Sequence, residues 1–366
     1  MVLYCTNVCW YFAERDTTSL LLLAAIEEDD ELAFLAGLRS ASHLGIRVPI
    51  FRFTLESVCN EDCLHMFRFR RRDITRLTTA LNIPDVVRGS NGTVACGTEA
   101  LCILLRRLAY PNRLKDISDI FGRSTEELSI LVNTLLKYIY EKFHYLLSDL
   151  DQKWLDQSHL QEYTAAVHRR GAPLKNVFGF IDGTLRAMCR PSSNQRHVYN
   201  GHKREHGIKF QSVVTPNGLV ANMFGPFEGR RHDAALLADS GLLLKLDALP
   251  GLGSNGNKFA VYGDPAYPLR PQLLCPFRGA VLTTEQQQFN KSMSSVRESV
   301  EWVFGKIITN FAFLDFKNNL KLLLQPVGKY YLVGAIFTNC HTCLYGSQTS
   351  DYFDVQPPEL EDYLRN

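Results

Sequence analysis

Apolar positions along the chain follow two periods. The densest run is Val177-Phe178-Gly179-Phe180-Ile181, apolar at four of its five positions and stopped by Asp182-Gly183-Thr184. A run this short and this apolar predicts a strand buried on both faces. Gly207–Val214 and Leu219–Phe224 flank Thr215-Pro216-Asn217-Gly218, which predicts a hairpin with explicit turn chemistry. A further strand, Phe259–Gly263, ends at Asp264-Pro265, and Gly279–Leu282 reads as another. Helical spacing governs the rest: Thr18–Leu38, Thr98–Tyr110 (stopped by Pro111), and one long helix from Gln286 to Phe311. The buried stripe of that last helix is Val296, Val300, Val303, Phe304, Ile307 and Phe311. Leu114–Phe121, a turn at Gly122, and a second helix opened by a Ser124–Glu127 capping box form a helix–turn–helix pattern. The second helix is poor in Arg and Lys on its outer face, so packing and base reading both fit it.

A chain of 366 residues exceeds the usual single core. The expected division is an unplaced segment 1–60, a helical domain 61–150, a polar linker 151–173, an α/β domain 174–347 and a tail 348–366. Leu20–Ile26 is too short to span a bilayer, so no membrane association is expected. Ten scattered cysteines without a secretory leader indicate a reducing compartment. Cys340-His-Thr-Cys343 has zinc-knuckle spacing but no clear second pair. Gly251-Leu-Gly253-Ser-Asn-Gly256 matches a dinucleotide fingerprint in letters only, because it precedes a strand instead of joining a strand to a helix.

Charge changes the picture locally. The chain carries a net +2, yet Arg186–Lys209 alone carries +5: Arg186, Arg190, Arg196, Lys203, Arg204 and Lys209 against Glu205. Such a block suits an anionic substrate, with Arg190, Arg196, Lys203 and Arg204 as phosphate contacts; a solvated loop would have the same composition. Phe67-Arg68-Phe69-Arg70-Arg71-Arg72 fits either a phosphate grip or side chains lying along a helix start. Beside the block, two strands end in carboxylates, Asp182 and Asp264, and Glu301 borders the stripe of the long helix. Their separations are 82 and 37 residues. Turn chemistry alone accounts for an Asp before Gly, and Asp233 reads as a helix N-cap. Three hard-oxygen donors also suit Mg²⁺ or Mn²⁺. A pair of such ions about 3.5–4 Å apart supports in-line displacement at phosphorus.

Several words carry a more specific signal. Ile181-Asp-Gly-Thr184, Tyr199-Asn-Gly-His-Lys-Arg204, Gly229-Arg-Arg-His-Asp233, Gly263-Asp-Pro-Ala-Tyr-Pro268 and Arg297-Glu-Ser-Val-Glu-Trp-Val-Phe-Gly305 resemble the PIF/Harbinger transposases and their derived nucleases, of the DDE superfamily. Gly97-Thr-Glu-Ala-Leu101 and Leu105–Pro111 resemble that family's helical leader. The resemblance implies an α/β, RNase H-like mixed sheet flanked by helices, after a helical N-terminal domain. It implies Asp182, Asp264 and Glu301 as catalytic, metal-holding acids for two divalent ions, with Glu298 as local competitor for the third place. Pro265 departs from the small residue more usual after the second acid. DNA is the implied substrate, with a Myb-like protein as targeting partner, self-association left open, and residence in the nucleus as well as the cytoplasm. A non-catalytic DNA-binding or adaptor protein keeping the fold is the alternative, and a small-molecule metallophosphatase ranks third.

Overall fold

The computed structural model describes residues 52–365 apart from 193, 254, 255 and 323. The expected helix Thr18–Leu38 lies outside these residues. The helical portion opens with α1 (Asn60–Phe67) and α2 (Arg71–Ala80). A two-stranded ribbon follows, β1 (Val86–Arg88) with β2 (Val94–Cys96), and then α3 (Gly97–Ala109), α4 (Leu114–Phe121) and α5 (Thr125–Phe143). Gly122 ends α4 in the left-handed region (φ 60°), and the Ser124–Glu127 capping box opens α5. Both signals were legible in the sequence. The apolar stripe of α5 is buried with them: Leu128, Ile130, Leu131, Val132, Leu135, Leu136, Ile139 and Phe143 all face inward. The arginines of the 67–72 stretch each find a partner within the chain, although Arg70, Arg71 and Arg72 stay exposed. Arg68 donates to the carbonyls of Asn310 and Ala109 and lies 4.4 Å from the Tyr110 ring centroid. Arg70 lies over Tyr345, Arg71 donates to the carbonyls of Glu56 and Val58, and Arg72 pairs with Asp73.

The stretch 151–173, expected to be a linker, folds instead as a 3₁₀ turn and α6 (Gln157–Arg169). Its charged residues occupy the outer face, while Leu160, Tyr163, Ala166 and Val167 are buried. Tyr163 accepts a hydrogen bond from Asn217 Nδ2 (2.8 Å) and donates to the Trp154 carbonyl (3.0 Å). The polar turn of the hairpin is thereby tied to this helix.

The sheet begins at β3 (Val177–Ala187), followed by β4 (Tyr199–Asn200), β5 (Glu205–Val214) and β6 (Val220–Glu228). After α7 (Asp233–Ser240) come β7 (Ala260–Tyr262) and β8 (Leu273–Leu274). The six strands form one mixed sheet flanked by helices. β5 pairs antiparallel with β3, β4 and β6, whereas β3–β7 and β7–β8 are parallel. The strand expected at Gly279–Leu282 is absent, Val281 being 92% exposed, and Leu273–Leu274 takes the edge. β3 also runs six residues beyond the apolar core, because β5 stays paired with it from Phe180↔Val214 to Ala187↔Gly207.

The long helix expected from Gln286 to Phe311 is two: α8 (Thr284–Arg297) and α9 (Ser299–Asn310). At the junction Glu301 N bonds to Glu298 O at 3.0 Å, a tightened turn. Then comes α10 (Val327–Tyr345), apolar nearly all round and accordingly buried nearly all round. It packs on α5 of the helical portion, on α9 and on β6, so the two parts of the chain share one helix. Gly328 permits the approach to Pro226, whose Cγ would lie 2.6 Å from any added Cβ. Asn339, fully buried on α10, accepts from Val220 N and donates to Val220 O, both at 2.9 Å. A second donation, to Tyr363 Oη, holds the C-terminal α11 (Gln348–Phe353) and α12 (Leu360–Leu364) region against the body. Cys340 is buried within α10, and none of the described residues forms a His/Cys/Asp/Glu group suited to a metal around it. No helix among the described residues is long and apolar enough to cross a membrane.

Candidate active site

The register of the central strands sets the site. β7 pairs with β3 only as far as Phe180↔Tyr262. Two residues further along each chain come Asp182 and Asp264: Asp264 lies just past the end of β7, and Asp182 lies within β3 where that strand has parted from β7 and pairs with β5 alone. In α/β sheets that edge is where ligands bind. Gly263 allows the tight exit, since a Cβ there would lie 2.8 Å from both Ile181 Cγ2 and Tyr267 Cδ2.

Asp182 is largely buried. Its Oδ1 accepts from Gly183 N at 2.8 Å, and its Oδ2 faces Arg297 Nη1 at 3.3 Å. Burial raises its pKa above the usual carboxylate value; Arg297 and the Gly183 N–H pull it back, and Asp264 and Asp233 add to the rise. Asp264 closes a short turn by accepting from Ala266 N at 2.9 Å. Tyr267 stands behind both, fully buried, with no hydrogen-bond partner for its hydroxyl. Burial pushes its phenol well up, and Asp233, Asp182 and Asp264 push it further. Three carboxylates therefore crowd one spot.

The third of these is not the one expected. Asp233 does not cap α7; the N-cap is His232, without a side-chain hydrogen bond. The Asp233 carboxylate instead rests against the face of Gly183, where any Cβ would strike its Oδ1. Lys209, on β5, holds it in a 2.8 Å ion pair. The reason is steric and electrostatic together: a missing side chain on β3 makes room, and a half-buried lysine supplies the charge. The sequence signal was the alternation of Lys209 and Gln211 with Ile208 and Phe210, which gives β5 a polar face toward the site.

Glu301 lies exposed in the first turn of α9, and Glu298 lies exposed at the junction. Among the described residues no three His, Cys, Asp or Glu side chains come together as a metal site, so Glu301 is not gathered with the two aspartates. Arg297, just before the junction, is the α8 residue that reaches Asp182. As donors, Asp182 and Asp264 fit a hard divalent cation: both are carboxylates, and such an ion would offset the burial and, to a lesser extent, the neighbouring carboxylates that raise the Asp182 pKa.

The basic block divides in two. Arg186 folds over the Tyr331 ring and donates to Thr184 Oγ1, and Lys209 is used by Asp233. Arg190, Arg196, Lys203 and Arg204 are all exposed. Lys203 and Arg204 sit at the tip of the β4–β5 hairpin, where Arg204 adopts φ 55°, and Arg190 donates to Gln195 at 2.9 Å.

Residues 181–339 match the DDE superfamily endonuclease family (DDE_Tnp_4). The match begins at the strand that delivers Asp182 and ends in α10. Among curated proteins the chain is similar to "Protein ALP1-like" of Arabidopsis thaliana, 24% identical over 229 residues, 60% of this chain and 54% of that protein. The chain thus spans about half the length of this curated relative. No solved structure matches. The match and the site meet on the same strands, and the chain carries a DDE superfamily endonuclease domain, as its Harbinger-type words imply.

Proposed function

We propose that the chain is a metal-dependent DNA endonuclease or transposase of the DDE type, its sheet domain of the RNase H-like class. It would cleave phosphodiester bonds by in-line attack of water or a 3′-hydroxyl. The observation that carries this reading is the paired emergence of Asp182 and Asp264 at the open edge of the sheet inside the matched domain. DDE superfamily endonucleases generally use divalent metals. Two Mg²⁺ or Mn²⁺ ions would supply an activated water or hydroxyl and neutralise the leaving oxygen. Asp182, Asp264 and Glu301 are assigned to hold them, Glu301 by its place in the motif. The exposed Arg190, Arg196, Lys203 and Arg204 are assigned to DNA phosphates, whose contacts position a duplex without reading its sequence. The burial of α5 supports a packing role for the helix–turn–helix pattern; target choice is assigned to a Myb-like partner, and residence to the nucleus and cytoplasm, on the family resemblance alone.

One observation favours a second reading. Arg297 already answers Asp182, the service a metal ion would perform, and a chain that keeps the fold as a DNA-binding adaptor would look the same there. Labelled DNA incubated with the purified chain and Mn²⁺ separates the two. Cleavage that disappears in Asp182→Ala supports the nuclease; salt-sensitive binding with no cleavage at any Mn²⁺ or Mg²⁺ concentration supports the adaptor.

A further inference from the structure

A slot of about 520 Å³ opens beside β8, within the range of small-ligand sites, about 300–1,000 Å³. Pro268, Leu269, Leu274, Phe277 and Phe289 line it, and the charged residue among its described lining residues is Arg278. Two of these apolar side chains are open to solvent, Leu269 by 64% and Phe277 by 47%. Single exposed apolar residues are ordinary, but a contiguous set around a hollow marks a place where something binds.

Phe277 is exposed and yet held. The Asn290 side chain accepts from Phe277 N at 2.9 Å and donates to Phe277 O at 3.0 Å. The Phe277 ring meets that of Phe289 edge-on, with centroids 5.1 Å apart. A backbone clamped at both of its polar groups presents its ring before any ligand arrives, which lowers the cost of binding.

Two routes join the slot to the candidate active site. Tyr267 N bonds to Asp264 O at 3.2 Å, closing a turn. A turn of this kind brings its end Cα atoms within about 7 Å, and Pro268 is one residue, about 3.8 Å, further on. The rim therefore lies within about 11 Å of Asp264, roughly three base steps along a strand. Arg278 donates to the Tyr267 carbonyl and ties the slot to the same turn. The second route is α8, which carries Phe289 and Asn290 at the slot and Arg297 at Asp182. Those positions are about 12 Å apart along the helix axis.

Resting on the DNA reading above, we propose that this slot receives an unpaired base of the DNA strand whose backbone passes Asp182 and Asp264. A base is flat and has two apolar faces, so it stacks on an aromatic ring whatever its sequence. An apolar slot with a cation at its rim suits a base attached to a phosphate better than it suits an apolar protein segment. A base already out of its stack enters at least cost, so the favoured substrate is DNA with an unpaired or mismatched position near the bond to be cut.

The test measures binding of the full chain, without divalent cations, to two labelled duplexes by fluorescence anisotropy. One duplex is fully paired, and the other has the same sequence with a single bulged thymine. The bulged duplex should bind about tenfold tighter or more, as for one stacked base. Phe277→Ala should bring the ratio of the two affinities close to one. Leu244→Ala, at an exposed apolar position outside the slot, should keep the ratio. Phe277 is about half exposed, so its truncation spares the core, and an unchanged melting temperature checks this. Equal affinity of the wild type for both duplexes, or a preference that survives Phe277→Ala, would overturn the proposal and leave the nuclease reading standing. Binding of neither duplex would overturn both. A wild-type dimer that Phe277→Ala dissociates in sedimentation, with no preference between the duplexes, would give the slot to a second copy of the chain instead. Cleavage is not the readout, so a chain that binds DNA without cutting it tests the slot equally well.

Discussion

Replacing Arg297 by glutamine removes the guanidinium that faces Asp182 and leaves a partly buried carboxylate beside two others. The magnitude follows from exposure. An ion pair at the surface contributes about 0–1 kcal/mol, whereas stripping one partner from a buried pair costs about 3–5 kcal/mol. The side chains of Arg297 and Asp182 are 22% and 18% exposed, between those limits. The expected loss at pH 7, without divalent ions, is therefore about 1–3 kcal/mol after discounting for solvent screening.

The pH dependence separates this cause from lost packing. Burial raises the Asp182 pKa above its ordinary 3.8, and Arg297 opposes that rise, so the variant should raise it further. The folded chain then holds its proton to higher pH than the unfolded chain. Above the folded-state pKa the carboxylate is charged in both states, and its burial penalty is felt in full. As pH falls through that pKa the folded state takes up the proton first and the penalty fades. Urea melts of wild type and Arg297→Gln at pH 7 and pH 4.5 should show the larger difference at pH 7. An equal loss at both values would refute the electrostatic account, and no loss at pH 7 would refute the ion pair itself. Added Mn²⁺ should restore more stability to the variant than to wild type, since a cation at Asp182 replaces the one removed.

Three further outcomes are expected. Glu301→Gln should abolish Mn²⁺-dependent cleavage with DNA binding retained, while Glu298→Gln should cleave normally and change stability by no more than about 0.5 kcal/mol; two active variants would reject the three-acid assignment. Neutralising Arg190, Arg196, Lys203 and Arg204 together should weaken binding to any DNA sequence and lower the salt slope by about one unit per lost phosphate contact; an unchanged slope measured by fluorescence anisotropy would exclude this face. Gly183→Ala should drive a Cβ into the Asp233 carboxylate and cost about 1–3 kcal/mol in chemical denaturation, as overpacking does; a neutral substitution would show that the Lys209–Asp233 pair yields freely.

The hairpin, the capped helix α5 and the two aspartates were legible because each rests on local chemistry: turn residues, a capping box, and apolar runs ended by Asp-Gly or Asp-Pro. What escaped depends on partners far along the chain. The length of β3 past Ile181 is set by β5, more than twenty residues away, and a reading of β3 alone stops where its apolar run stops. α6 reads as a polar linker because its buried face is carried by only a few residues, among them Tyr163, whose role appears once Asn217 is beside it. Asp233 reads as a cap because its position before Ala-Ala-Leu-Leu satisfies the local rule. The competing pull of Lys209 is invisible until β5 is folded beside it.

The junction at Glu298 decides the relation between the acids and the arginine. On one continuous helix, residues 297 and 301 are a turn apart and share a face, so Arg297 and Glu301 would approach the sheet edge together. The turn between α8 and α9 is tightened while Glu298 keeps right-handed helical dihedrals (φ −52°, ψ −26°); Arg297 reaches Asp182, and Glu301 lies exposed in the first turn of α9. Arg297 and a divalent cation would compete for the same carboxylate, because both answer the same negative charge. A metal held at Asp182, as proposed, would therefore require Arg297 to give way.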